Sequence, residues 1–147
     1  MTRAIEDLIW EIRRLFRELG QAADKALAPL GVTAAERALL EFLAKEEAPV
    51  TLSEIARKRT VSRQHIHQTL SRLDPRWIDR SADPRDARSV FLSLSKEGRA
   101  LWKQVRRVDG RLLRRIGKQM DEKRVRAAIS TLQEVRKVLK SSQDEMK

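Results

Sequence analysis

Residues Thr51 to Leu73, TLSEIARKRTVSRQHIHQTLSRL, decide how this chain folds. Thr51 and Glu54 have the spacing of a capping box, in which a hydroxyl accepts from the backbone three residues on and a carboxylate reaches back. They predict a short helix from Leu52 to about Arg59, with Leu52, Ile55 and Ala56 on its apolar side. Thr60-Val61-Ser62 reads as a brief turn. Arg63 to about Leu73 reads as the next helix, with Ile66, Thr69, Leu70 and Leu73 facing inward. Pro75 stops it, since a proline lacks the N–H a helix interior needs. Two short helices joined by a turn of about three residues form a helix-turn-helix. Many helical proteins contain such a corner, so the flanking sequence carries the decision.

Downstream, Trp77-Ile78 and Ser89 to Ser95 are strand-like, the second alternating Val90, Leu92 and Leu94 with Ser89, Phe91 and Ser93. Between them, Asp83-Pro84-Arg85-Asp86-Ala87-Arg88 packs two acids and two arginines into six residues, with Asp83-Pro84 as turn starter. A hairpin directly after a helix-turn-helix is a wing. Long helices flank this unit. Upstream, Ile5, Leu8, Ile9, Ile12, Leu15, Phe16 and Leu19 recur at helical spacing until Pro29-Leu30-Gly31. Thr33-Ala-Ala-Glu36 then caps a helix through Leu39, Leu40, Phe42 and Leu43, closed before Pro49. Downstream, Ser95 caps a helix carrying Leu101, Val105, Val108, Leu112 and Ile116. Asp121 caps a last one carrying Val125, Ile129, Leu132, Val135 and Leu139, and Ser141 to Lys147 is expected to fray. The expected fold is therefore mainly α: a winged helix-turn-helix over 33–95 with a two-stranded wing, set between long N- and C-terminal helices in a single domain, 1–147.

Composition narrows the function. The 147 residues suit one domain, and 36% of them are charged against 4% aromatic. The chain has no cysteine, which excludes a disulfide framework, a thiol-based oxidant switch and a thiolate metal site. No apolar run approaches the roughly 18 residues of a membrane span, and Met1 leads into an amphipathic stretch carrying Glu6, Asp7 and Glu11 rather than a signal peptide. A cytoplasmic protein associated with the nucleoid, without membrane or cofactor, is expected. The net charge of +11 is unevenly spread: −2 over residues 1–50 (7 basic, 9 acidic), +4 over 51–95 (9 and 5) and +9 over 96–147 (16 and 7). Such an excess favours a polyanionic partner, and nucleic acid is the commonest. No nucleophile–base pair or phosphate loop is visible, so an enzyme is not expected.

Val61-Ser62-Arg63 at the start of the second helix, and Asp86-Ala-Arg88-Ser-Val-Phe-Leu-Ser-Leu94-Ser95-Lys-Glu-Gly98 after it, resemble the MarR family of winged helix-turn-helix transcriptional regulators. The second stretch is similar to that family's wing signature, Asp-x-Arg, a strand, then Leu-Thr-x-x-Gly, with Ser95 in place of the threonine. The resemblance spans nearly the whole chain. The family commonly has a glycine between recognition helix and wing; Leu73-Asp-Pro-Arg-Trp77 has none and is about one residue shorter by that pattern. The turn Arg57-Lys58-Arg59-Thr60 is also more basic and lacks the usual Leu-Gly. The resemblance implies a homodimer whose helices 1–30 and 96–141 interlock, and a sequence-specific regulator of double-stranded DNA, of the repressor type. It further implies a near-palindromic operator and a small-molecule effector, often an amphipathic aromatic acid or lipophilic toxicant, bound in a cleft between the helical core and the winged helix.

The residues fit that role as follows. Stepping about 100° per residue from a buried Ile66 puts Gln64, His67, Gln68 and Ser71 opposite, with Arg63, His65 and Arg72 on the flanks. Glutamine can pair with adenine N6/N7 and arginine with guanine O6/N7; the alternative is a plain solvated face. His65 and His67, about 200° apart on a helix, cannot chelate a metal together without a further ligand. Thr51, Ser62 and Arg85 complete the candidate DNA-binding set. By the resemblance, Arg88 enters a minor groove and Asp86 braces it through a charge-assisted hydrogen bond; the alternative is a hairpin tip whose charges only solubilise it. Trp10, Arg13, Arg14 and Arg37 are guessed as a site for an anionic effector. The run from Arg106 to Lys118 is a solvated face or a source of long-range attraction. A nucleoid-type architectural protein with little sequence preference is the competing function.

Overall fold

The computed structural model describes residues 1–144, and α-helices and one small sheet account for its regular structure. The chain forms two compact units, Met1–Asp109 and a second from Gly110 onward. In the first, α1 (Thr2–Leu27) is followed by a single 3-10 turn over Ala28–Leu30. Gly31 ends that turn in the left-handed region at φ 66°, where the absence of a Cβ removes the steric cost. The helix α2 (Ala34–Lys45) starts at a complete capping box: Glu36 N–H donates to Thr33 Oγ1 at 3.2 Å and Thr33 N–H donates back to Glu36 Oε2 at 2.8 Å. A second complete box, Thr51 with Glu54, starts α3 (Leu52–Arg59). Both boxes are as the sequence spacing requires.

The wing differs from the sequence expectation in extent. Strand β2 runs Ile78–Asp83 and β3 runs Asp86–Leu94, so only Pro84 and Arg85 lie between the strands. The charge knot is therefore mostly strand. Asp79, Arg80 and Ser81 escaped the reading because an exposed edge strand has no apolar alternation to betray it; backbone pairing with β3 makes the strand. The sheet also has a third member, β1 (Val50–Thr51), which pairs antiparallel with β3 to give the order β1-β3-β2. Trp77 is not in a strand but closes a 3-10 turn, Pro75–Trp77, whose first N–H groups Asp74 caps by accepting from Arg76 N–H at 3.0 Å. That capped turn makes the connection from the second helix of the helix-turn-helix to the wing without a glycine.

The core of this unit is one cluster. Leu39, Leu40 and Leu43 of α2 pack with Ile55 of α3, with Ile66 and Leu70 of α4 (Arg63–Arg72) and with Leu92 and Leu94 of β3. Leu101 and Val105 of α5 (Lys96–Gly117) complete it. Each fully buried leucine or isoleucine contributes on the order of 1.5–3 kcal/mol. The strand-to-helix handover is tight. Ser95 Oγ accepts from Gly98 N–H at 3.0 Å and donates to the Arg76 carbonyl at 2.5 Å, while a Cβ at Gly98 would run into the Trp77 carbonyl. In the second unit, α6 (Glu122–Asp144) begins at Asp121, whose carboxylate accepts from Arg124 N–H at 2.9 Å. It continues through Ser141, expected to fray, as far as Asp144; residues 145–147 of that expected tail lie outside the described residues.

Candidate nucleic-acid interface

The surface of interest is built from α3, α4 and the wing. At the end of α3, Thr60 takes the left-handed conformation at φ 55°, and its N–H donates to the carbonyls of Ala56 and Arg57. A β-branched residue there is strained, so the turn is held by its surroundings rather than by local preference. Ser62 then caps α4, its Oγ accepting from His65 N–H at 3.0 Å. Ile66, Thr69 and Leu70 are buried with Leu73 just beyond, while Arg63, Gln64, His65, His67, Gln68, Ser71 and Arg72 are exposed. The helix phase read from the sequence is the one observed. Thr69 is buried without penalty because its hydroxyl donates to the His65 carbonyl at 2.9 Å.

Thr51 holds a different position from the other candidates. Its hydroxyl accepts from Glu54 N–H and donates to Glu54 Oε2 at 3.1 Å, so the capping box already occupies it. Those two hydrogen bonds from Thr51, backbone first, hold the Glu54 carboxyl below its ordinary range.

In the wing, Asp83 is buried and accepts from Arg85 N–H at 2.9 Å, leaving the Arg85 side chain 81% exposed. Asp86 accepts from the backbone N–H of Arg88 at 3.0 Å and from the Ser89 hydroxyl at 3.0 Å. Asp86 thus braces the backbone of Arg88 and not its guanidinium. The Arg88 N–H, then the Ser89 hydroxyl, hold the Asp86 carboxyl below its usual range. Among the described residues the Arg88 guanidinium has no hydrogen-bond partner.

Between α4 and the wing lies a cleft of about 300 Å³. It brings together Thr51, Arg63, His67 and Arg88 from the predicted set, with no carboxylate in its lining. Arg80 and Ser89 also line it, and neither was singled out from the sequence. The signal for Arg80 is register: it pairs with Leu92, which the alternation already placed inward, and directly paired residues share a sheet face. Gln64, His65, Gln68, Arg72 and Arg85 lie outside the cleft lining. Among the described residues no group of three or more histidine, aspartate and glutamate side chains could hold a metal ion.

The guessed effector residues behave differently again. Trp10 is 57% exposed on α1, Arg13 is exposed beside it, and Arg14 pairs with Glu11 at 3.2 Å. Arg37 is committed elsewhere. Its Nε and Nη2 donate to Asp109 at 2.9 and 2.6 Å, its Nη1 donates to Glu41 at 2.6 Å, and its guanidinium lies 5.8 Å from the Trp102 ring centroid. The Asp109 hydrogen bond holds the Arg37 guanidinium above its ordinary range, against the opposing effect of burial. Among the described residues, none of Trp10, Arg13 and Arg14 is a partner in this cluster.

Comparison with known proteins agrees with this geometry. Residues 32–98 match the winged helix DNA-binding domain, while the full sequence matches no curated protein. A solved MarR family transcription regulator superposes with a TM-score of 0.85 at 21% identity, over 98% of this chain and 95% of that one. A mutant MarR from E. coli complexed with operator DNA gives 0.79 at 24% identity, over 92% and 97%. MepR from S. aureus, in a DNA complex, gives 0.79 at 20%, over 88% and 96%. No helix among the described residues is long and apolar enough to cross a membrane. The capped helix-turn-helix, the wing bearing Asp86-Ala-Arg88 and the long flanking helices give this chain a match to the winged helix DNA-binding domain over residues 32–98 and the fold of the MarR transcription regulators.

Proposed function

We propose that the protein is a sequence-specific regulator of transcription, of the repressor type, acting as a homodimer on a near-palindromic operator. The observation that carries this reading is the acid-free cleft between the exposed face of α4 and the wing, with Arg63 on one wall and Arg88 on the other. A helix presenting Gln64, His67 and Gln68 suits a major groove, where amide and guanidinium groups read base edges. An unpaired arginine on the hairpin suits the adjoining minor groove, whose potential is most negative where A·T tracts narrow it. Two such units related by two-fold symmetry would meet half-sites about 34 Å apart. Operator DNA in the MarR complex and DNA in the MepR complex support the partner class.

A small-molecule effector that alters DNA affinity belongs to the proposal, without a site among the guessed residues, since Arg37 is taken up by Asp109 and Glu41. The charge of +9 over residues 96–147 favours the second reading, an architectural protein that binds DNA through phosphates alone. Duplexes selected by the protein from a random pool separate the two. A regulator binds its selected duplex at least about 10³-fold more tightly than random DNA at moderate salt, and a ratio near one overturns the reading. Arg88→Ala is expected to weaken binding most on A·T-flanked sites while leaving assembly intact. Gln68→Ala is expected to lose discrimination at one base position, about 1–3 kcal/mol. Unchanged affinity in both variants would remove α4 and the wing from the interface.

A further inference from the structure

Three arginines from three different elements converge on one cleft, and the sequence gives no hint of the third. Arg80 pairs with Leu92 across β2 and β3, so the two share a face of the sheet. Val90, paired with Ala82 in the same regular register, lies on that face as well, and Arg88, past the register shift at Ala82/Asp83, lines the same cleft. Arg80 and Arg88 therefore both line the side of the wing that faces α4. Arg63, from the first turn of α4, supplies the opposite wall, with His67 one turn further on. The hydroxyls of Ser71 and Ser89 lie in the same lining.

Among the described residues, none of the three guanidinium groups takes part in an ion pair or a side-chain hydrogen bond. Most arginines of the chain are likewise without a carboxylate partner among the described residues; what sets these three apart is that they line one cleft whose lining holds no carboxylate. Converging cations without a counter-ion repel one another, and an anion held between them relieves that repulsion. Such a lining is complementary to an oxyanion, for which arginine offers forked N–H donors.

We infer that Arg80 and Arg63 hold a single phosphate of the DNA backbone in the cleft, beside Arg88, which reaches on into the minor groove. This rests on the DNA-binding reading above. A backbone phosphate fits better than a free oxyanion because the cleft lies between α4 and the hairpin, where a strand separating the two grooves must pass. Arg80 acts there as a positioning residue: it fixes the register of the protein on the duplex and reads no base.

The test uses the full-length protein and a duplex it has selected from a random pool, with single phosphates replaced in turn by neutral methylphosphonates. For the wild-type protein, one replacement per half-site is expected to lower affinity on the order of tenfold. Arg80→Ala is expected to show a similar loss on the unmodified duplex and no additional loss on that modified one. The slope of log affinity against log salt should fall by about one per half-site, with base preference unchanged. Arg80 is exposed, and thermal melting of the variant checks that the fold is kept. Unchanged slope and additive losses overturn the inference while leaving the DNA-binding reading in place. Loss of inorganic sulfate or phosphate binding in Arg80→Ala with an unaltered methylphosphonate scan also overturns it, in favour of a free oxyanion. A wild-type protein that binds no duplex overturns both.

Discussion

Gly98 and Thr60 are the two residues whose backbone matters most. At Gly98 the first turn of α5 passes so close to the Trp77 carbonyl that a methyl group has no room, and the obstructing atom is backbone. Gly98→Ala must therefore push apart the capped turn before the wing and the start of α5. A loss of about 2–4 kcal/mol is expected in urea unfolding, and an unchanged midpoint would show that the handover is loose. Thr60 presents the opposite case. Its left-handed φ of 55° suits glycine, so Thr60→Gly relieves strain that exceeds the extra entropy glycine loses on folding. A gain of about 0.5–1 kcal/mol is expected; a loss would mean that the threonine side chain holds the turn. Asp86 adds a lesson of its own, because the family resemblance pointed to the Arg88 side chain while the carboxylate engages the backbone.

At the scale of elements, the first unit joins α2 to α5 through Arg37. Its partners Asp109 and Glu41 are partly shielded, and the hydrogen bonds are 2.6 to 2.9 Å long. Arg37→Met leaves Asp109 without its cation and Glu41 with Lys45 alone, while keeping the stem volume against Trp102. The expected cost is about 1–2 kcal/mol, below that of a fully buried pair because water still reaches the group. Asp109→Asn alone should cost less, and an equal cost would assign the effect to packing. The pH dependence follows from the carboxylates. The hydrogen bond from Lys45, ahead of the one from Arg37, holds Glu41 below its ordinary range, and burial opposes them. A carboxylate with a depressed folded pKa contributes stability above its unfolded value that is lost as pH falls through the folded one. Glu54 behaves in the same way. The thermal midpoint is thus expected to stay level from neutral pH down to about 4.5 and then fall. A decline beginning well above about pH 5 would show that these carboxylates do not set the acid limit.

For the whole molecule, the terminal helices keep much of their apolar surface uncovered in a single chain. On α1, Leu15 and Phe16 are 55% and 78% exposed; on α6, Val138 and Leu139 are 64% and 59% exposed. Runs of this kind mark association surfaces, and with a chain mass of 17.0 kDa sedimentation is expected to show a particle of twice that mass. Phe16→Glu together with Leu139→Glu should shift it towards monomer and lower DNA affinity, since two half-sites would no longer be bound as one unit. A wild-type monomer at micromolar concentration would remove the two-fold model of the operator.

The helices, both capping boxes, the inward face of α4 and the wing following it were legible from the sequence alone. Each depends on interactions within three or four residues, or on a period that one chain displays. Much of the candidate interface was legible for the same reason: the exposed side of α4 is the complement of its buried side. Tertiary structure alone decided the rest. The third strand and the length of β2 come from pairing with β3, which polar edge residues do not announce. Arg37 meets Asp109 across 72 residues, turning a guessed ligand group into a link between helices. Arg80 joins Arg63 and Arg88 only through strand register and the packing of α4 against the sheet. Local periodicity fixes which side of an element is buried; which exposed groups meet across elements depends on contacts far apart in the chain.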